Sequence, residues 1–185
     1  MIDKIKIIGY KYTMKIIIET ERTFLREIAQ SDFDELCIIL QDIDVMYAYE
    51  HAFSDEEVTN WLNKNIERYN KNGYGLWAVI HKGTNIFLGQ CGLTIQNING
   101  KEYLEIGYLF KRNYWHKGYA TEAAFGCKRY AFEILKAEKV YSIIRDNNIA
   151  SQNVAKRIGM EKMDTIMKHY YNMDMPHYIY ETRNE

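Results

Sequence analysis

YLFKRNYWHKGYATEA, residues 108–123, is the stretch that decides the fold of this chain. A strand-like run over residues 103–110 enters a short basic loop that ends at Gly118, and an alanine-rich amphipathic pattern follows to residue 135. A strand that delivers a glycine-bearing turn to a helix gathers unpaired backbone N–H groups at the positive end of the helix dipole. Because glycine has no Cβ, an anion such as pyrophosphate can approach closely. The alternative is an ordinary strand–loop–helix connection with solvated Lys and Arg side chains.

The sequence around this stretch alternates strand-like and helix-like patterns. Strands are expected at residues 23–28, 76–81, 87–95, 103–110, 140–144, 160–168 and 177–182. Helices are expected after capping boxes at Ser31-x-x-Asp34 and Ser54-x-x-Glu57, over residues 118–135, and from Asn148 to Gly159. An antiparallel meander followed by strand–helix–strand–helix predicts a mixed α/β (α+β) sheet with helices on both faces.

Length and composition limit the classes of protein that fit. With 185 residues, 47% of them hydrophobic, the chain is long enough for one domain with a sizeable core. We expect a single domain over residues 14–185, preceded at residues 1–13 by an extra strand, a disordered extension or a misassigned start. The net charge of −1 gives no global attraction to nucleic acid or an anionic membrane, and no apolar run approaches the ~18 residues of a membrane span.

The cysteines and histidines show no spacing that is typical of a metal site, so no metal is expected. Cys37, Cys91 and Cys127 are far apart in sequence, which favours a reducing, cytoplasmic compartment over a disulfide framework. Cys127 falls within a helical pattern, where a cysteine is more often a core residue than a nucleophile.

Three segments together resemble a known family. Residues 115–123, WHKGYATEA, are similar to the acetyl-CoA pyrophosphate loop of GNAT N-acetyltransferases, Gln/Arg-x-x-Gly-x-Gly/Ala. Residues 148–160, NIASQNVAKRIGM, resemble that family's second cofactor motif. Residues 19–26, ETERTFLR, resemble the first strand of the branch that contains the ribosomal-protein alanine/serine N-acetyltransferases. The three segments occur in the family's order, and they are specific for the superfamily but not for a substrate.

The resemblance implies a fold and a cofactor. The fold is a mixed, mainly antiparallel sheet of six to seven strands flanked by about four helices. The strands at residues 103–110 and 140–144 are expected to lie side by side and to splay at one end, where the pantetheine arm of acetyl-CoA pairs with an open strand edge. The residues expected to bind this co-substrate are Leu109, Phe110, Trp115, His116, Lys117, Gly118, Tyr119, Ala120, Thr121, Asn148 and Asn153.

The chain also departs from the family pattern. Trp115 and His116 stand where many members have other residues, but pyrophosphate binding depends mainly on backbone amides. Ala155 occupies the position at which many GNAT enzymes carry a Tyr thought to protonate the departing thiolate, so the general acid is unassigned. Asn148 serves as a helix cap, as a cofactor contact or as both, and Asn153 is equally consistent with a solvated helix position.

Acetyl transfer requires a base that deprotonates the acceptor amine, and it does not require a covalent acyl-enzyme intermediate. A thioester is already activated, so a neutral amine attacks it once the amine is positioned and its proton is removed. Glu105 alternates with apolar Leu104 and Ile106, and it is the acidic residue nearest in sequence to the expected thioester site. We therefore predict Glu105 as the catalytic base. The alternative for Glu105 is a solvent-facing strand carboxylate. Proton removal then passes through a water, or the acceptor's own protonation equilibrium supplies enough neutral amine.

The acceptor is the part of the function that the sequence determines least. By resemblance, residues 44–53 and 169–180 contribute to its site, and Tyr47 and Glu50 are the candidate substrate-binding residues. The expected acceptor is a protein or peptide N-terminal α-amine. The alternatives are a small amine (a polyamine, an amino-acid derivative or an aminoglycoside) and a non-catalytic acyl-CoA-binding domain. Both a monomer and a homodimer are consistent with the sequence.

Overall fold

One mixed sheet of eight strands organises the part of the chain that the structure describes. The structure is a computed structural model that describes residues 15–170 and 172–184, so the expected extension at residues 1–13 lies outside it. The strands are β1 Ile16–Glu19, β2 Thr23–Glu27, β3 Leu76–His81, β4 Phe87–Ile98, β5 Lys101–Phe110, β6 Lys139–Arg145, β7 Glu161–Tyr170 and β8 Met173–Arg183. Their order across the sheet is β1-β2-β3-β4-β5-β6-β8-β7.

The predicted mixed, mainly antiparallel architecture is confirmed, with one strand more than expected. Every pair of neighbouring strands is antiparallel except β5 and β6, which are parallel. The additional strand is β1, a four-residue edge strand that pairs with β2. Its sequence, three isoleucines and a glutamate, lacks the alternation of polar and apolar residues that marks a half-buried strand.

Four α-helices accompany the sheet among the described residues: α1 Phe33–Leu40, α2 Asp55–Asn72, α3 Tyr119–Glu133 and α4 Ile149–Arg157. The capping box predicted for α2 is confirmed, because the Ser54 hydroxyl accepts from the Glu57 amide at 3.3 Å and the Glu57 carboxylate accepts from the Ser54 amide at 2.8 Å. Gly73 caps the end of the helix, and its φ of 77° is the left-handed conformation that glycine favours.

The capping box predicted at Ser31 and Asp34 is wrong. A 3-10 turn, Gln30–Asp32, leads into α1, and the capping carboxylate belongs to Asp32. This carboxylate accepts from the Ala29 amide at 2.8 Å and from the Arg26 guanidinium at 2.6 and 2.7 Å. A contact with β2 therefore selects the cap, and the sequence spacing alone does not reveal that contact.

The core consists of two apolar clusters, one on each face of the sheet. Strand β3 shows the division, since Trp77 and Val79 belong to one cluster and Leu76, Ala78 and Ile80 belong to the other. This alternation follows the two-residue period of a strand. Helices α3 and α4 pack on the first cluster, and α1 and α2 pack on the second, as the predicted two-faced arrangement requires.

The two parallel strands part after a single paired position. Glu105 of β5 is paired with Tyr141 of β6, and the Ser142 hydroxyl donates to the Ile106 carbonyl at 2.9 Å just beyond it. Towards Phe110, β5 remains paired with β4 alone. The strands are thus neighbours that splay, as the resemblance implies, and backbone groups at the gap are free to bind another molecule.

Candidate active site

A cavity of about 1000 Å³ lies at the gap between β5 and β6 and extends over the first turns of α3 and α4. Ten of the eleven residues expected to bind the cofactor line it: Leu109, Phe110, Trp115, His116, Gly118, Tyr119, Ala120, Thr121, Asn148 and Asn153. Residues that are far apart in sequence thus share one cavity wall. We call this space the large cavity.

The first turn of α3 presents unpaired amides to the large cavity. Within the described part of the chain, no group accepts from the backbone N–H groups of residues 116–121, and the first helical bond runs from the Glu122 amide to the Gly118 carbonyl at 3.0 Å. Gly118 has a φ of 82°, and an added Cβ there would lie 3.3 Å from the Arg22 guanidinium. The backbone rotation therefore favours glycine, and a side chain at this position would press on the Arg22 guanidinium. These amides and the helix dipole form a site suited to an anion.

Arg22 and Glu122 hold this loop in place. The Arg22 side chain donates to the Glu122 carboxylate at 2.6 Å and to the Lys117 carbonyl at 3.0 Å, and its guanidinium lies 4.5 Å from the centre of the Tyr119 ring. Glu122 also accepts from the Thr20 hydroxyl at 2.7 Å. Burial raises the pKa of Glu122, but the hydrogen bonds from Thr20 and Arg22 outweigh it and lower the pKa overall.

The basic residues of the loop do not form one anion site. Lys111 pairs with Glu35, and Arg112 pairs with Asp42 and Asp44, so both charges are neutralised by acidic residues of other elements. The Lys117 ammonium lies 5.4 Å from the centre of the Tyr114 ring, and Lys117 does not line the large cavity. Two cations that the sequence analysis did not select, Arg129 and Arg157, do line it.

Asn148 has the capping function predicted for it. Its side-chain carbonyl accepts from the Ser151 amide at 3.0 Å, and Asn148 also lines the large cavity. Ala155 is fully buried in the core and offers no proton. The Tyr108 hydroxyl, which donates to the Ser151 carbonyl at 2.8 Å, lies at the same gap, and burial raises its pKa. Tyr108 therefore keeps its proton, and the sequence contained no signal for it.

A smaller cavity of about 420 Å³ adjoins the large one across the parted strands. Both cavities are lined by Val45, Tyr108, Leu109, Asn148 and Ser151. The smaller cavity also receives side chains from α2, β6, β7 and β8, and it contains the two groups best suited to bind a proton, Glu105 and His177. The arrangement gives two connected spaces that meet at the gap in the sheet.

Glu105 is a partly buried carboxylate in the wall of the smaller cavity, not a solvent-facing strand residue. It accepts from the Ile143 amide at 3.2 Å, across the gap, and from the Thr94 hydroxyl at 3.4 Å. Burial raises the pKa of Glu105, and the charge of Lys168 and these hydrogen bonds offset only part of the rise. A carboxylate with a raised pKa is a stronger base than an exposed one.

His177 of β8 is a second basic group that the sequence analysis missed. Its Nδ1 lies 2.9 Å from the Met175 carbonyl, which can only accept, so Nδ1 carries the proton and Nε2 has the free lone pair. Burial lowers the pKa of His177, and the charges of Lys168 and Arg145 lower it further. The ring is therefore neutral near pH 7. Nothing in a lone His of a tyrosine-rich segment distinguishes it before the sheet brings it to the cavity.

The two residues expected to bind the acceptor have different surroundings. Tyr47 lines the large cavity, and its carbonyl accepts from Arg145 at 3.3 Å. Glu50 lines neither cavity and forms an ion pair with Arg145, so its charge is already matched within the protein. This pairing differs from the expected contact with a substrate ammonium.

Comparison with known sequences agrees with this geometry. Residues 22–161 match the acetyltransferase (GNAT) domain family. The chain belongs to the GNAT acetyltransferase family. It is 37% identical over 168 residues to YkkB, an uncharacterized protein of Bacillus subtilis strain 168, covering 89% of this chain and 94% of the relative. It is also 30% identical to YnaD, an uncharacterized N-acetyltransferase of the same organism, with 78% and 82% covered.

Comparison with solved structures shows the same fold in other GNAT proteins. An acetyltransferase of the GNAT family from Bacillus anthracis superimposes with a TM-score of 0.77 at 28% identity, covering 90% of this chain and 97% of that one. RimL, a ribosomal-protein α-N-acetyltransferase in complex with coenzyme A, superimposes with a TM-score of 0.74 at 18% identity, with 91% and 98% covered. At that identity the likeness to RimL concerns the fold. This chain is thus a GNAT acetyltransferase domain.

The described residues contain neither a metal-binding cluster nor a helix that could span a membrane. No cluster of three or more His, Cys, Asp or Glu side chains that could hold a metal ion occurs in residues 15–170 and 172–184. Over the same residues, no helix has the length and apolar character that a membrane-spanning segment needs.

Proposed function

We propose that this GNAT domain transfers the acetyl group of acetyl-CoA directly to a primary amine, and that the amine is the α-amine of a peptide or protein N-terminus. The observation that carries the proposal is the junction of the two cavities at the parted strands. The backbone amides of residues 116 and 118–121 are unpaired, and these residues line the large cavity, which supports a pyrophosphate there. Glu105 and His177 face the smaller cavity, which supports deprotonation of an amine.

The preference for an α-amine follows from proton chemistry and charge. An α-amino group has a pKa near ~8 and a lysine-like amine near ~10.4, so a modest base suffices for the former. A polyamine or an aminoglycoside carries several positive charges and calls for an acidic cleft. Among the described residues that line the smaller cavity, Glu105 is the one carboxylate, which disfavours both. RimL, which shares the fold, is named for acetylating an α-amine, and this supports the same class of acceptor.

Cofactor binding is tested by isothermal titration calorimetry with acetyl-CoA. Gly118→Trp should abolish binding, because the indole would fill the space in front of the helix amides. Gly100→Trp is the matched control, since Gly100 has a similar φ of 80° with no atom within 4 Å of an added Cβ. It should bind like wild type. Equal affinity in wild type and Gly118→Trp would contradict the pyrophosphate assignment, and no binding by wild type at millimolar acetyl-CoA would contradict the proposed function.

A further inference from the structure

The smaller cavity carries an excess of positive charge. Four cationic side chains line it: Lys64, Arg68, Arg145 and Lys168. Among the described lining residues, Glu105 is the one carboxylate, and Glu50 approaches Arg145 from outside the cavity. The cations come from α2, β6 and β7, which are far apart in sequence, so the fold and not a local charge run concentrates them here.

Arg68 of α2 is the cation with the most unused hydrogen-bonding capacity. A guanidinium has five N–H donors in a planar fork. One of the Arg68 donors reaches the Asn65 side-chain carbonyl at 3.1 Å, and no other described side chain or carbonyl accepts from Arg68. Burial lowers the pKa of Arg68, and the negative charge of Glu105 opposes that effect. A partly buried fork with free donors is suited to a carboxylate or a phosphate.

Lys168 and Arg145 add to the positive charge of the smaller cavity. The Lys168 charge acts on both Glu105 and His177, and no described acceptor pairs with its ammonium. A terminal guanidinium nitrogen of Arg145 donates to the Glu50 carboxylate and to the Tyr47 carbonyl. The Nε of Arg145 is a buried donor with no acceptor in the described structure. Buried donors without acceptors are costly and are usually satisfied by a ligand or water.

We propose that the amine accepted at this site carries an anionic group, a carboxylate or a phosphate, which Arg68 and Lys168 bind while the amine faces Glu105 and His177. The inference rests on the proposed function, and it names the class of acceptor. The positive lining selects against polycationic amines and favours acceptors whose anion lies close to the amine. Acidic peptide N-termini, free amino acids and phosphorylated amines share this chemistry.

The test compares acceptors that differ in charge but little in shape, by initial rates of CoA release with mass confirmation of the product. The pairs are peptides that begin with Asp or Asn, a free amino acid and its amide, and phosphoethanolamine and ethanolamine. The anionic member of at least one pair should have a kcat/KM at least about tenfold higher. The pair with the largest ratio identifies the source of the anion. The peptide pair would agree with the proposed N-terminal acceptor, whereas either small-amine pair would overturn that acceptor and leave the anion site standing.

Variants then assign the preference to residues. Arg68→Gln and Lys168→Gln should each raise KM for the preferred anionic acceptor about tenfold or more, and should lower the ratio of kcat/KM between that acceptor and its neutral partner by a similar factor. Lys71→Gln is the matched control, an exposed cation one turn beyond Arg68 on α2 that lines neither cavity. Arg68→Lys should restore part of the preference. Thermal unfolding checks that each variant is folded. Because Arg68 and Lys168 lie on separate elements, one variant still tests the proposal if the other fails to fold.

The outcomes separate the two proposals. Turnover of neutral and anionic acceptors with equal kcat/KM would overturn the inference and leave the proposed function standing. Retention of the preference in both Arg68→Gln and Lys168→Gln would overturn the assignment of the anion site. Absence of turnover with every amine, despite acetyl-CoA binding, would overturn the proposed function and the inference with it.

Discussion

Glu105 and His177 are two proton acceptors in one cavity, and burial shifts their pKa values in opposite directions. Burial raises the pKa of the Glu105 carboxyl above its ordinary value of 4.5, and burial lowers the pKa of the His177 imidazole below its ordinary value of 6.5. Because the two shifts run in opposite directions from their ordinary values, a pH profile of the wild-type enzyme alone does not assign the base to either group.

Substitution of Glu105 and of His177 identifies which of the two is the catalytic base. A base must be deprotonated to act, so kcat falls as pH decreases through its pKa. If Glu105 is the base, Glu105→Gln should lower kcat about 10²-fold and remove this acidic limb. His177→Gln should retain the limb, and acetyl-CoA affinity should stay unchanged in both variants. A profile in which His177→Gln loses the limb while Glu105→Gln keeps it would assign the imidazole as the base instead.

At the scale of elements, the turn between β1 and β2 is joined to the first turn of α3. Glu122 accepts from the Thr20 hydroxyl, the Arg22 amide and the Arg22 guanidinium, at 2.7, 2.7 and 2.6 Å. Arg22 in turn donates to the Lys117 carbonyl at 3.0 Å. The loop at residues 116–121 is therefore oriented by a strand turn that lies about a hundred residues earlier in the chain.

Glu122→Gln should weaken this connection. A neutral amide cannot accept all three hydrogen bonds and loses the ion pair, so Kd for acetyl-CoA should rise about tenfold, and stability should fall by about 1–2 kcal/mol. The turnover number should change little, because Glu122 does not face the smaller cavity. Calorimetry and thermal unfolding measure both effects. Glu138→Gln, at an exposed carboxylate beyond α3, is the control, and an equal loss in both variants would argue against a specific contact.

At the scale of the whole molecule, the thiols belong to the core and not to the site. Cys91 of β4 and Cys127 of α3 are fully buried with their sulfur atoms 3.5 Å apart, and neither lines the large or the smaller cavity. Burial, reinforced by Cys91, raises the pKa of the Cys127 thiol well above its ordinary value. A buried thiol with a raised pKa is a poor nucleophile, which favours direct transfer over an acyl-enzyme.

Cys91→Ala and Cys127→Ala should accordingly keep most of kcat while losing about 1–2 kcal/mol of stability, because each leaves a small void in the core. Cys37→Ala, at a partly buried site outside both cavities, should lose less stability and serves as the comparison. Mass spectrometry of the protein mixed with acetyl-CoA should find no acetylated cysteine. A trapped acetyl-Cys127 that forms and decays at the rate of turnover would establish a covalent route.

Much of the fold was predictable because its signals are local. The caps at Ser54 and Asn148 and the glycine at 118 act within a few residues, so their spacing in the sequence is enough to locate α2, α3 and α4. The family-like segments supplied the candidate cofactor residues, and ten of these eleven candidates line the large cavity. The misassigned cap at Ser31 and the missed strand β1 depend on pairing with β2, which is a tertiary contact.

The sequence by itself determined the family, the order of the elements and the loop that faces the large cavity, because hydrophobic period, caps and glycine positions act over short distances. The tertiary structure alone decided the charge of the smaller cavity, the second base at His177 and the partners of Lys111, Arg112 and Glu50. Those features require residues separated by tens of positions to meet. A charge has no predictable partner until the sheet brings it to one, and burial shifts a pKa only after the surrounding strands are in place.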